Sequence, residues 1–151
     1  MCFKIPVKIT IPKPVVGTVT VTRQEYLANL ALHGITPISD TDPFDSTYNL
    51  CPVSELIRIA PSLVYPADWY VEDLWDCENY GLQAANDAGK FKCSVVLCLG
   101  TMELGYHGFA LAQDASWNIW LLEPNAGFPW AGVWFEPSNQ NMNYQPKKVL
   151  I

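Results

Sequence analysis

Residues 75–89, "WDCENYGLQAANDAG", decide how this chain is read. Cys77, Tyr80, Gly81, Ala84, Ala85 and Ala88 recur at helical spacing along one stripe. Gly89 ends the run, so the spacing predicts a helix that starts at Cys77. A thiol at a helix start sits beside unpaired backbone N–H groups, which favour its thiolate. Asp76 and Glu78 flank the same cysteine, and two negative charges oppose that ionisation. Taken alone, the stretch is open to two readings: a nucleophile, or a small apolar residue filling the core.

The chain downstream of this helix reads as strands. "KCSVVLCLG" predicts a strand over 92–99, "YHGFALAQ" one over 106–113, and "SWNIWLLEPN" one over about 117–123. "GVWFEP" and "KKVLI" are further candidates, and 138–146 reads as a polar, mobile loop. Upstream, Thr22 and Glu25 form a capping box and Gly34 stops the run, which predicts a helix over about 23–32. His33 falls in its last turn, where the helix dipole accommodates a positive charge. "PVSELIRIA" predicts a short helix with Pro52 at its start. The stretch 36–49 is turn-rich and acidic and reads as a loop, without the D-x-D-x-D-G spacing of a calcium loop. Residues 3–21 alternate apolar and polar with three prolines, as edge strands or an extended arm do. A helix-rich first half followed by one helix and an antiparallel meander is an α+β pattern.

The 151 residues suit one domain, 1–151. Half are hydrophobic and only 16% are charged, which excludes a solvated disordered chain. The net charge is −6 and no basic run exceeds Lys147-Lys148, which argues against a nucleic-acid partner. No apolar run approaches the roughly 20 residues of a membrane span, and the N-terminus lacks a signal-peptide core. The five cysteines, at 2, 51, 77, 93 and 98, show no ligand-pair spacing. They predict no disulfide framework, hence a reducing, cytoplasmic setting.

Only two histidines occur, and one of them, His107, opens the predicted strand 106–113. Glu123 and Asn125 follow on the next strand. Cysteine at a helix start, histidine on one strand and a carboxylate or amide on the next is the order of a Cys-His-acid triad. In that arrangement Cys77 attacks as thiolate, His107 accepts and returns its proton, and Glu123 or Asn125 holds the ring. Glu123 ends the apolar run "IWLLE", where a buried carboxylate requires a partner, and is the favoured third member. Trp75, beside the cysteine, is the candidate substrate contact.

These residues resemble the papain-like and transglutaminase-like cysteine peptidase superfamily. Asp76-Cys77-Glu78-Asn79-Tyr80-Gly81 is similar to the D-C-E-D-[YF]-A nucleophile motif of bacterial transglutaminase-like peptidases. Tyr106-His107-Gly108-Phe109-Ala110-Leu111 is similar to their G-H-A-V-L histidine motif, and Leu122-Glu123-Pro124-Asn125 to their L-D-N. The Glu-Pro pair is closer to a fungal agglutinin's C-terminal protease domain. The resemblance covers about 65–135, leaves 1–60 unassigned, and departs from the motif at Asn79. It implies a papain-like/transglutaminase-like core with the nucleophile helix packed on an antiparallel sheet. It implies a thiol hydrolase, a cysteine peptidase with a peptide or protein substrate, forming an acyl-enzyme. No cofactor is required for that chemistry, but the resemblance implies calcium, with Asp76 and Glu78 as the candidate ligands. Two other classes fit the same residues: a catalytically inactive binding or structural module, and an acyltransferase of the transglutaminase type.

Overall fold

The computed structural model describes residues 14–39, 45–139 and 142–151. The expectations for residues 3–13, and Cys2, lie outside the described residues. A five-stranded sheet forms the centre, in the order β2-β7-β4-β5-β6. Its strands are β2 (Thr36–Pro37), β4 (Val95–Met102), β5 (Gly105–Gln113), β6 (Ile119–Leu122) and β7 (Gln145–Leu150). β4, β5 and β6 form an antiparallel meander, β7 returns antiparallel along the other side of β4, and β2 adds parallel to β7. A separate pair is made by β1 (Val19–Thr22) and β3 (Thr47–Leu50).

Among the described residues three α-helices accompany the strands: α1 (Arg23–Leu32), α2 (Val53–Ile59) and α3 (Cys77–Gly89). α1 starts on the Thr22–Glu25 capping box, with the Thr22 amide donating to Glu25 at 2.8 Å. At the start of α3 the Asp76 amide donates to the Asn79 side chain at 3.1 Å, so the residue departing from the nucleophile motif closes the helix instead.

Alternation along β4 and β5 divides the core. Val96, Cys98, Phe109 and Leu111 face one side, with Tyr26 and Leu30 of α1. Val95, Ala110 and Ala112 face the other, with Tyr80, Ala84 and Ala88 of α3. Small residues on both partners allow α3 to lie close against the sheet. Closest is its first turn: a Cβ on Gly108 would stand 3.1 Å from the Cys77 carbonyl and the Glu78 nitrogen. The glycine after His107 thus sets how near the helix start comes to the histidine strand.

Several expectations are corrected here. The first half is not simply helical: β1, β2 and β3 lie in it, and a five-stranded sheet forms the centre. The stretch 36–49 read as loop because its turn residues mask two short strands. "GVWFEP" contributes only one bridge, Leu121 with Phe135. β4 begins at Val95 rather than 92, because Lys92 adopts φ 59° and Cys93 is diverted. That diversion is a disulfide: Cys51 and Cys93 are bonded, with Cα atoms 5.6 Å apart. No motif marks a pair 42 residues apart, and only the fold brings them together. The absence of disulfides, and the reducing compartment inferred from it, lose their support. Among the described residues no helix is long and apolar enough to cross a membrane.

Candidate functional site

The sheet delivers His107 and Glu123 to each other. His107 lies on β5, buried, and Glu123 follows β6, fully buried. His107 Nε2 lies 2.7 Å from Glu123 Oε2. Tyr144 Oη donates to the same oxygen at 2.7 Å, and the Asn125 amide donates to Oε1 at 2.9 Å. Trp130 Nε1–H donates in turn to Tyr144 Oη at 3.1 Å. A buried carboxylate stripped of water requires such donors, and Glu123 has three. Asn125 does not touch the imidazole by hydrogen bond: its Oδ1 accepts from the Gly127 amide at 2.8 Å.

Tyr144 reaches this position because β7 approaches β4 closely. The β4–β7 register shifts between Leu99 and Gly100. A Cβ on Gly100 would collide with the Gln145 carbonyl, so only glycine admits that approach. Sequence reasoning missed Tyr144 and Trp130. The only available signal was an aromatic inside the polar run "SNQNMNYQP".

Cys77 opens α3 and lies beside this group. A cleft of about 300 Å³ is lined by Cys77, His107 and Asn125 together with Tyr70, Met102, Leu104, Tyr106 and Phe128. The Cys77 thiol donates to Glu78 Oε2 at 3.1 Å. Burial pushes the thiol pKa up to about 11, and the Glu78 carboxylate adds to this; the Gly108 amide opposes it. Asp76 and Glu78 interact as neighbouring carboxyls. The bond to Glu78 raises Asp76, whereas the bond from Cys77 holds Glu78 below its ordinary value. The flanking acids therefore act as the charge argument anticipated, against thiolate.

Trp75 is not part of the cleft wall. Its ring meets Trp69 edge-on at 5.9 Å and Tyr80 at 6.4 Å, and with Trp69 it lines a separate open apolar recess. Its indole N–H has no hydrogen-bond partner among the described residues. Calcium takes six to eight oxygens. Asp76 and Glu78 offer two carboxylates, and among the described residues no group of three or more His, Cys, Asp or Glu gathers to hold a metal. The pair does not by itself fit that ion. A larger cavity, about 420 Å³, opens between α3 and the C-terminal end of β7; its lining has one carboxylate, Asp45, and no histidine.

No family model matches the chain, and no curated protein does. Ten chains of solved structures match its fold, and two of them illustrate it. One is described as a PSL1a-E64 complex, with a TM-score of 0.61 at 14% identity, over 87% of this chain and 51% of that one. The other is Polyporus squamosus lectin bound to the epitope Neu5Aca2-6Galb1-4GlcNAc, with a TM-score of 0.60 at 16% identity, over 87% and 49%. The second is named as a lectin, and neither name printed is that of a papain-like or transglutaminase-like peptidase. The match in fold to a structure named as a lectin overturns the papain-like/transglutaminase-like core and the reading as a hydrolase or thiol protease with a peptide substrate. The physical reason is that the supporting motifs were short. D-C-E-x-Y and an ordered Cys, His and Glu constrain a few positions, whereas the match in fold extends over most of the chain. What the comparison shows is that this chain has the fold of about half the length of a lectin polypeptide.

Proposed function

We propose that the chain is a ligand-binding module, and that the cleft beside Cys77 and His107 takes a saccharide. The observation that carries this is the state of Cys77. With its pKa raised to about 11 and its proton directed at Glu78, it is a thiol at neutral pH, and a thiol is a poor nucleophile. The cleft around it has the make-up of a binding site: aromatic and aliphatic walls with a few polar groups. Tyr70, Tyr106 and Phe128 offer ring faces to sugar C–H groups, and His107 and Asn125 offer polar atoms to hydroxyls. A volume of about 300 Å³ suits one or two sugar rings. In this reading Glu123 and Tyr144 are positioning residues that hold His107. The fold of this chain matches 49% of a lectin that was solved with an oligosaccharide.

The first test is the rate of iodoacetamide alkylation at Cys77 against pH, read by peptide mapping. The expected midpoint is near 11. A midpoint well below that of a free thiol, about 8.5, would sink the binding-module reading. Calorimetric titration with neutral and sialylated oligosaccharides tests the ligand. Phe128→Ala is expected to weaken binding about tenfold, the worth of one aromatic contact. Failure of the whole panel to bind would remove saccharides as the ligand.

A further inference from the structure

From Ile59 to Gly89 the chain carries six carboxylates, Asp68, Glu72, Asp73, Asp76, Glu78 and Asp87, and no lysine or arginine. The same segment exposes large apolar side chains: Trp69, Tyr70, Val71 and Leu74 are 46%, 50%, 48% and 77% exposed. These are not the loose contents of a frayed loop. Val71 and Trp75 exchange backbone hydrogen bonds at 2.8 and 2.7 Å, which closes the turn between them. The Trp69 ring stacks on Tyr65 at 5.8 Å, and the Tyr65 hydroxyl is tied to Asp87 at 2.8 Å. Trp69 and Trp75 then meet at 87°, a rigid aromatic corner with an apolar recess in it.

Glu72 and Asp73, both exposed, sit at the tip of the turn that Val71 and Trp75 close. Burial raises the pKa of the Tyr70 phenol, and so do the charges of Cys77, Glu72, Asp76 and Asp73, which places those groups within its field. An indole face attracts a cation, and the attraction strengthens as water is removed. Among the described residues no cation lies over either tryptophan ring. Arg58, the one arginine close by in sequence, lies over the Phe91 ring at 5.3 Å.

We propose that the Trp69–Trp75 corner docks a basic segment of a partner protein, with a lysine or arginine side chain laid across the Trp69 ring. The apolar stem of that side chain covers Val71 and Leu74, and its charge meets Glu72 and Asp73. A bare metal ion makes no use of the tryptophans, and a wholly apolar partner makes no use of the acids. A phosphate-bearing polymer is repelled by them. The corner adjoins the saccharide cleft, whose wall includes Tyr70, but the proposal does not depend on a saccharide binding there.

The test titrates the full chain with a short peptide alternating leucine and arginine, and with its leucine–glutamate counterpart, following tryptophan fluorescence and heat. The arginine peptide is expected to bind, and to weaken at least about tenfold when ionic strength rises from about 0.05 to about 0.5 M. Trp69→Ala is expected to reduce affinity about tenfold. Glu72→Gln with Asp73→Asn is expected to flatten the salt dependence. Leu74→Ser, at a more exposed position, is expected to weaken binding and serves if Trp69→Ala fails to fold. Equal binding of the glutamate peptide, or unchanged affinity in both the Trp69 and the Leu74 variants, overturns the proposal. Saccharide titration of the same variants separates this result from the fate of the cleft.

Discussion

Cys77 shows how one neighbour decides what a residue can do. Its place at a helix start was legible from the apolar stripe and Gly89. Its ionisation was not, because that depends on where Glu78 turns and how deeply the thiol is buried. Burial is the larger cause of the high pKa, and Glu78 adds to it. Glu78→Gln is therefore expected to move the Cys77 alkylation midpoint down from about 11, but not to the ordinary value. The pH profile of labelling reads this directly. The meeting of His107 with Glu123 was also foreshadowed in the sequence, as a histidine on one strand and a strand-end carboxylate on the next. Tyr144 was not, since its contribution depends on a register shift 44 residues upstream in the chain. Tyr144→Phe removes one donor from the buried Glu123 and the acceptor of Trp130. It is expected to cost about 1–3 kcal/mol of stability, measured by urea unfolding.

At the level of elements, the sequence spoke where periodicity was long and locally capped. α1 lies where its capping box and Gly34 put it, and α3 follows its stripe of small residues. β1, β2 and β3 are two to four residues long, too short for alternation to register, and their pairing is set by partners far along the chain. The disulfide was invisible for the same reason. Cys51 follows β3 and Cys93 follows α3, so the bond closes a ring over α2, the exposed rim 66–76 and α3. Closing a ring of this size constrains the unfolded chain. Replacing both cysteines by serine is expected to lower stability by about 2–4 kcal/mol, in calorimetry or denaturant titration. Dithiothreitol should reproduce the loss in the parent chain and leave the double variant unchanged.

Over the whole molecule, acid sensitivity follows from carboxylates held by hydrogen bonds. Burial pushes Asp114 up, but the Asn118 and Trp120 side chains and the Asn118 and Ser116 amides outweigh it and hold the pKa below 3.8. A depressed carboxylate contributes stability that is complete above its unfolded value and is lost as pH falls through its folded value. Asp87 has the same sign: burial raises it, whereas Lys90, Gln83 and Tyr65 lower it further. Thermal midpoints are expected to be level above about pH 5 and to fall below about pH 4, with a shallower fall in Asp114→Asn. The ring closed by Cys51 and Cys93 bears on proteolysis as well. Trypsin finds no site between Arg58 and Lys90, whereas chymotrypsin finds Tyr70 and Leu74 exposed on the rim. A cut there falls inside the ring, so the two fragments stay joined through sulfur. Protein nicked at Tyr70 or Leu74 should run as a single band without reductant and as two with it, whereas a cut at the exposed Leu104 or Tyr106, outside the ring, releases a fragment without reductant; the rim can be severed while the molecule remains one piece.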